Sequence, residues 1–265
     1  MGDVSYKPLI EDMTWSYSRL NSFDDCPYRW FCEYIHEELP EPTFYASFGS
    51  FIHRLIGRYY LGGIEKKDLP MEFLKGFSDN VLGERPNGSI VAKYITTGKE
   101  YFDSFEPFPY EVVAVEDEIS FDIKGTPFIA FVDYLGRSED GKLIIIDHKS
   151  RKLKPRSSRI DRPTAKDIEL NKMLKQLYIY AHAVYAKYGE LPKTLGFNCF
   201  MNKNLILEPF NRRIYMQTLD WAQKRIEEIQ NEEEFMPSVE YFKCGFLCGF
   251  NKSCCYYQGS QNGAD

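Results

Sequence analysis

The stretch Leu143 to Lys149 reads LIIIDHK, and its last three residues carry the first chemistry in the sequence. Four bulky apolar residues in a row mark a strand covered on both faces, so Asp147, His148 and Lys149 arrive at the tip of a core strand. Residues two apart on a strand point to the same side, which puts the Asp147 carboxylate and the Lys149 ammonium into one small volume. A surface ion pair is the plain alternative for these two residues taken alone. A second carboxylate, Asp133, follows the apolar run Phe128 to Val132 on the preceding strand. Two carboxylates brought together without a set of histidines or thiolates suit a hard cation such as Mg²⁺ or Mn²⁺. Directly after the tip, Arg151, Lys152, Lys154, Arg156, Arg159 and Arg162 stand against the single Asp161, a basic loop suited to following a phosphate backbone. Cation, lysine and basic loop are what phosphodiester hydrolysis requires: activated water, neutralisation of the charge on a pentacovalent phosphorane, and a track for the polymer.

Periodicity predicts the elements that hold these groups. Glu111 to Ile123 alternates like a half-exposed strand, Lys124-Gly125 makes a turn, and Thr126 to Leu135 is a second strand carrying Asp133. A further turn at Glu139-Asp140-Gly141 leads into the Ile-rich strand, giving a three-stranded meander. Ala165 to Tyr188 is a long helix with Gln176 and Tyr180 on one face. Thr194 to Met201 returns to a strand with Phe197, Cys199 and Met201 on one side, and Asn211 to Gln230 is a last helix. Upstream, Trp15 to Ile35 reads as two short helices, the first capped by Ser16 or Ser18 and the second started by Pro27. Ala46 to Leu61 is a helix stopped by Gly62-Gly63, with His53 on it. Helical patterning continues from Leu69 to Phe105 with a break near Pro86 to Gly88. Alone, His53 reads as a core histidine, and Gln176 and Tyr180 read as ordinary packing; His36 and His182 show only helix packing.

The composition bounds the rest. A chain of 265 residues that is 43% hydrophobic and 16% aromatic has ample material for a core. Its formal net charge of −6 excludes a protein coated in basic residues, so nucleic-acid contact must come from a local patch. No apolar run is long enough to span a membrane, and Met1 to Met13 lacks the features of a signal peptide, so no membrane partner and a cytoplasmic setting are expected. Seven cysteines without an export signal argue against a disulfide framework. Cys32 and Cys199 read as packing residues, whereas Cys26 stands near one end and Cys244, Cys248, Cys254 and Cys255 crowd the other.

Four motifs in order resemble the PD-(D/E)XK nuclease superfamily, in its RecB-like branch, from about Ser16 to Cys255. Gly49 to His53 is similar to the upstream motif whose histidine binds metal, and Gly125 to Asp133 to the second motif. Asp147-His148-Lys149 matches the Asp-x-Lys motif, and Gln176 to Tyr180 the Gln-x-x-x-Tyr signature. The resemblance implies an α/β (α+β) fold with a restriction-endonuclease-like αβββαβ core, in one nuclease domain spanning residues 1–265. Its parts would be a mainly helical region (16–107), a catalytic core (110–202), a C-terminal helix and cysteine clasp (211–255), and a tail (259–265). His53, Asp133, Asp147 and the His148 carbonyl would hold Mg²⁺ or Mn²⁺, with the His148 side chain turned away. Lys149 would position water or stabilise the transition state, while Gln176 and Tyr180 would brace the site or touch DNA. Arg151, Lys152, Lys154, Arg156 and Arg159 would bind DNA.

Many members of that branch carry an iron–sulfur cluster held by one upstream cysteine and three near the C-terminus. Cys26, Cys244, Cys248 and Cys254 are similar to that set and imply a 4Fe-4S cluster. The spacing of Cys244 to Cys248 is one residue longer than is common, Cys255 rivals Cys254, and four thiolates can equally hold Zn²⁺. The implied activity is a DNA exonuclease in recombination, repair or phage DNA processing, acting in a bacterial or phage-infected cytoplasm. Its substrate would be single-stranded DNA or DNA with ends, and its partners a helicase, a recombinase or other recombination proteins. The alternatives are a CRISPR adaptation nuclease, a nuclease acting on RNA, and an inactive DNA-binding or assembly subunit of the same fold.

Overall fold

The computed structural model describes residues 6–158 and 162–257. The chain opens with helices α1 (Lys7–Glu11), α2 (Tyr17–Asp25), α3 (Pro27–Tyr34), α4 (Phe44–Tyr60), α5 (Leu69–Asn80) and α6 (Gly88–Asp103). Of the two serines that could cap α2, Ser16 does so, its Oγ accepting from Arg19 N at 3.2 Å. Cys26 ends α2 and caps α3, and Pro27 supplies the first turn of α3. α4 stops at Gly62, whose φ of 74° lets Gly63 N donate back to Arg58 O at 2.8 Å.

Five strands follow in one mixed sheet, ordered β1-β2-β3-β4-β5. β1 (Glu111–Ile123) and β2 (Thr126–Arg137) form an antiparallel hairpin. Its turn is Lys124-Gly125, both residues at positive φ (51° and 86°), a two-residue geometry whose twist matches that of the strands. β3 (Leu143–Lys149) lies antiparallel to β2 and parallel to β4 (Thr194–Cys199). Leu143 through His148 are buried, which accounts for the unbroken apolar run. Helix α7 (Ala165–Tyr188) makes the crossover from β3 to β4; it opens on a Thr164–Asp167 capping box and stops at Gly189. β5 (Asn204–Pro209) and α8 (Arg212–Gln230) complete the set. The fold expectation holds: this is a mixed α/β, restriction-endonuclease-like arrangement.

Two differences from the sequence reading have physical causes. The fourth strand ends at Cys199 instead of Met201, because Phe200–Asn202 coils into a 3₁₀ turn that sends Phe200 into the helical layer. β5 has no strong signal in its residues, since only Ile206 along it is buried.

Apolar burial divides into two clusters. The larger covers the sheet with α2, α3, α7 and α8, and includes Trp30 stacked between Trp15 (6.3 Å between ring centroids) and Phe235 (5.6 Å). Asp24 pairs with Arg225 at 2.7 Å and Asp25 with Lys243 at 3.0 Å, joining the first helices to the last segment. The smaller cluster is an aromatic-rich core among α4, α5 and α6, built on Phe44, Phe48, Phe51, Phe73, Phe77 and Phe102. Helix α4 lies between the two, and the groove beside it holds the candidate site.

Candidate active site

The pairing of Tyr134 with Ile146 sets Asp133 beside Asp147 on adjacent strands. Asp133 Oδ2 accepts from His148 N at 2.7 Å, so the main chain of β3 fixes that carboxylate. Lys149 Nζ lies 2.7 Å from Asp147 Oδ2 and donates to Gln176 Oε1, also at 2.7 Å. Gln176 Nε2 in turn donates to the Tyr180 hydroxyl at 2.7 Å. The Asp-x-Lys pair is thus the end of a polar chain, Asp147–Lys149–Gln176–Tyr180, running from the strand tip onto α7. Burial, and after it the Asp147 and Asp133 charges, push the Tyr180 hydroxyl well above its usual range. It therefore stays a neutral hydroxyl.

Helix α4 supplies the facing wall. Gly49, His53 and Gly57 succeed at intervals of one turn, and His53 Nδ1 lies 3.4 Å from Asp133 Oδ2. The glycines allow the close approach: a Cβ at Gly49 would stand 2.9 Å from Ser150 Oγ, and one at Gly57 would stand 3.3 Å from Glu116 Cγ. Glu116, on β1, was missed from sequence. His53, Glu116 and Asp133 bring one ligand atom each within 4.8 Å of one another. One imidazole and two carboxylates suit a divalent cation, so this donor set fits the ion that the motifs imply. Asp147 is outside that group, engaged with Lys149.

The electrostatics favour a cation. Burial first, then Asp147, raises the Asp133 carboxyl well above its ordinary range against the opposing His148 N–H. Burial and Asp147 also raise Glu116. Burial lowers His53, which keeps its imidazole neutral and able to ligate, against the pull of Asp147. The His148 backbone also opposes the effect of burial on His53, as the smallest of its influences. The His148 side chain is buried, with its ring edge-on to that of His53 at 5.3 Å between centroids: its Nδ1 accepts from Asn198 Nδ2 at 3.0 Å, and its ring stacks on Phe108. His53, Glu116 and Lys149 open on a groove of about 610 Å³ along α4, lined also by Ala46, Ser50 and Ser150 among others.

Among the described residues, none of the basic loop lines this groove. Arg151 is ion-paired with Glu169, and Arg156 Nε contacts Glu208 at 2.8 Å while its Nη2 donates to Asn171. Ser157 N and Oγ donate to the Asp167 carboxylate at 2.8 and 2.7 Å, tying the loop to the start of α7. Lys152 and Lys154 are exposed, and none of these residues lines the groove. Arg159 lies outside the described residues.

Cys26, Cys244, Cys248 and Cys254 line one pocket of about 150 Å³ between the start of α3 and the C-terminal segment. Cys255 does not line it; it is exposed, with Sγ 3.7 Å from the Tyr28 hydroxyl. Burial raises the Cys248 thiol, with Cys244 and Cys26 among its near neighbours. Among the described residues no three cysteine sulfurs lie within 4.8 Å of one another. A tetrahedral zinc site holds its sulfurs about 3.8 Å apart. Cys32 and Cys199 are buried packing residues, as read.

Comparison with known proteins bears on this arrangement. No curated protein matches the chain. A crystal structure from Eubacterium rectale, of a protein described as a candidate exonuclease, superposes with a TM-score of 0.51 at 12% identity, over 90% of this chain and 86% of that one. A second structure, of SSO0001, covers 78% of this chain and 96% of its own at 16% identity, with a TM-score of 0.32. The family model of the PD-(D/E)XK nuclease superfamily, whose members use divalent metals, matches residues 14–255. That match spans the helical wall, the paired strands and the cysteine clasp alike, and this chain belongs to the PD-(D/E)XK nuclease superfamily.

Proposed function

We propose that the chain is a metal-dependent DNA exonuclease of the RecB-like branch, working in recombination, repair or phage DNA processing. One observation carries the reading: His53 and Glu116 of the donor group and Lys149 of the Asp147–Lys149 pair line one groove. Held by His53, Glu116 and Asp133, a Mg²⁺ or Mn²⁺ ion would supply Lewis-acid polarisation of the phosphate and a more acidic water. Lys149, aimed by Asp147 and Gln176, neutralises charge that builds on the phosphoryl oxygens. The His148 N–H holds Asp133 Oδ2 in place, and Tyr180 keeps Gln176 from rotating away from Lys149. Exonuclease action is supported by the fold shared with the candidate exonuclease of Eubacterium rectale. A subunit that only binds DNA has no use for this constellation.

The test is cleavage of linear single- and double-stranded DNA labelled at one end, with each end blocked in turn, in Mg²⁺ or Mn²⁺. Loss of product when one end is blocked, and in Asp147→Ala, is the expected result. Cleavage that persists in Asp147→Ala, or that ignores both blocks, would reject the site or the exonuclease assignment respectively.

We further propose that Cys26, Cys244, Cys248 and Cys254 hold an iron–sulfur cluster. Support comes from their shared pocket between the two ends of the chain. Anaerobically purified protein should be brown and contain iron and sulfide, and Cys26→Ser should lose both. Stoichiometric zinc without iron would reject the cluster. DNA is the partner this reading requires, with a helicase or recombinase supplying the processed end.

A further inference from the structure

The loop that follows β3 is the most basic segment of the sequence, yet the groove takes its positive charge elsewhere. Ala46, Ser50, Arg54 and Arg58 succeed at intervals of four along α4 and form one wall of the groove, next to the stripe that carries His53. Among the described residues Arg54 is fixed without an ion pair. Its Nη2 donates to Asn80 Oδ1 at 2.5 Å, Asn80 Nδ2 is itself held by Gly76 O at 2.7 Å, and the guanidinium lies 5.6 Å from the Phe51 ring centroid. A neutral amide is an unusual partner for an arginine that needs only solvation, because a carboxylate would bind it more strongly. Arg58 has a carboxylate nearby, Glu72, but at 3.7 Å and with the two side chains 47% and 39% exposed. By contrast Arg151 and Arg156 on the loop are engaged by Glu169 and Glu208.

We propose that Arg54 and Arg58 bind successive backbone phosphates of the strand being cut, next to the phosphate at the His53–Glu116–Asp133 group. The proposal rests on the nuclease reading. Four residues of helix separate the two arginines by about 6 Å along the axis, comparable to the step between neighbouring phosphates of one strand. A guanidinium presents two parallel N–H donors to a phosphate, and Asn80 holds that of Arg54 in advance, so little ordering remains to be done on binding. Glu116, Asp133 and Asp147 would repel a polyanion from the bare groove, and a bound cation offsets that repulsion. Arg54 and Arg58 then add the attraction that draws the strand along α4. Neither arginine requires a base edge, so the contact is indifferent to sequence.

The test measures binding of a labelled oligothymidylate in Ca²⁺ across a salt series, and cleavage of the same strand in Mg²⁺, for wild type, Arg54→Gln, Arg54→Lys and Arg58→Gln. Both arginines are exposed, so the variants keep the fold. Arg54→Gln should weaken binding about tenfold and make the slope of log affinity against log salt shallower by about one, with KM rising and kcat largely kept. Arg54→Lys should restore the slope but only part of the affinity, since the charge returns without the fork. Arg58→Gln should act in the same direction. A wild-type slope in Arg54→Gln, or a slope that disappears instead in Lys152→Gln/Lys154→Gln, overturns the proposal. If the wild type binds but never cleaves, the nuclease reading fails while the slopes still judge the arginines; if it binds no DNA, both fail.

Discussion

Removing Lys149 should cost stability, whereas removing its partner Asp147 should cost almost none. The Asp147 side chain is 3% exposed and that of Lys149 is 17% exposed, so the pair at 2.7 Å is nearly desolvated. In Lys149→Met the Asp147 carboxylate is left buried with Asp133 opposite it and Glu116 in the same field, and no cation to offset them. Breaking a buried pair from one side costs about 3–5 kcal/mol, and like-charge neighbours place this case at the upper end. In Asp147→Asn the ammonium keeps Gln176 and some water, and the repulsion on Asp133 and Glu116 is relieved. The expected change there is within about 1 kcal/mol of zero, of either sign. The double variant Asp147→Asn/Lys149→Met should recover most of the loss seen in Lys149→Met. Urea unfolding of metal-free protein measures all three through the midpoint at constant m. Cleavage should be absent in each, so stability and function separate. If Lys149→Met unfolds at the wild-type midpoint, or if the double variant is less stable than Lys149→Met by more than about 0.5 kcal/mol, the electrostatic account of this pair is wrong.

Glu116→Gln should raise the metal concentration needed for half-maximal cleavage by about tenfold or more, and Gly57→Ala should do so more mildly, because its Cβ would crowd the Glu116 side chain at 3.3 Å. Titration of both with Mg²⁺ under single-turnover conditions checks this; an unchanged requirement in Glu116→Gln removes Glu116 from the ligand set. Thermal stabilisation by Mg²⁺ should be larger at about pH 8 than at about pH 6. Asp133 and Glu116 hold their protons to higher pH in the fold than when unfolded, so protons compete with the cation as pH falls, and each displaced proton weakens binding by up to about tenfold per pH unit below the folded value. Equal stabilisation at the two pH values would contradict those raised carboxyls. Tyr180→Phe should leave Gln176 Nε2 without its partner and slow cleavage severalfold without abolishing it, and Gln176→Ala should be worse, because it frees Lys149 directly. Turnover in Gln176→Ala equal to wild type would separate α7 from the site.

The strand tip was legible because burial and charge conflict there: no ordinary surface needs LIIIDHK, and the alternating side-chain directions of a strand brought Asp147 and Lys149 together as read. Gln176 and Tyr180 were legible as a shared helix face, though their hydrogen-bond chain back to Lys149 depends on where α7 crosses the sheet. Glu116 was hidden among Asp117 and Glu118 on a strand that reads as merely half-exposed. The signal was present in the turn. Counting back eight residues on each side of the Lys124-Gly125 turn sets Glu116 opposite Asp133, with Val115–Tyr134 and Asp117–Val132 paired on either side. The ion pairs of the basic loop were hidden for a different reason. Charge density along a sequence says nothing about the acidic residues that meet it in space, here Glu169 from α7 and Glu208 from β5. Arg54 and Arg58 give no signal of their own in the sequence, and the groove they line is formed only where α4 meets β1 and the tip of β3.

The stacking of Trp30 on Phe235 has a consequence for the order in which the molecule is made. Trp30 is fully buried, and the ring that covers one of its faces is translated about 200 residues later. At elongation rates of about 5–20 residues per second, α3 waits roughly 10–40 s on the ribosome before that surface can be closed. During the wait α2 and α3 must be shielded by transient contacts or a chaperone, while α4 to α6 can condense early on their own phenylalanines. The two ends therefore set the last step of assembly. A chain cut short before Phe235 would expose Trp30, which marks an unfinished product for the cell's quality control.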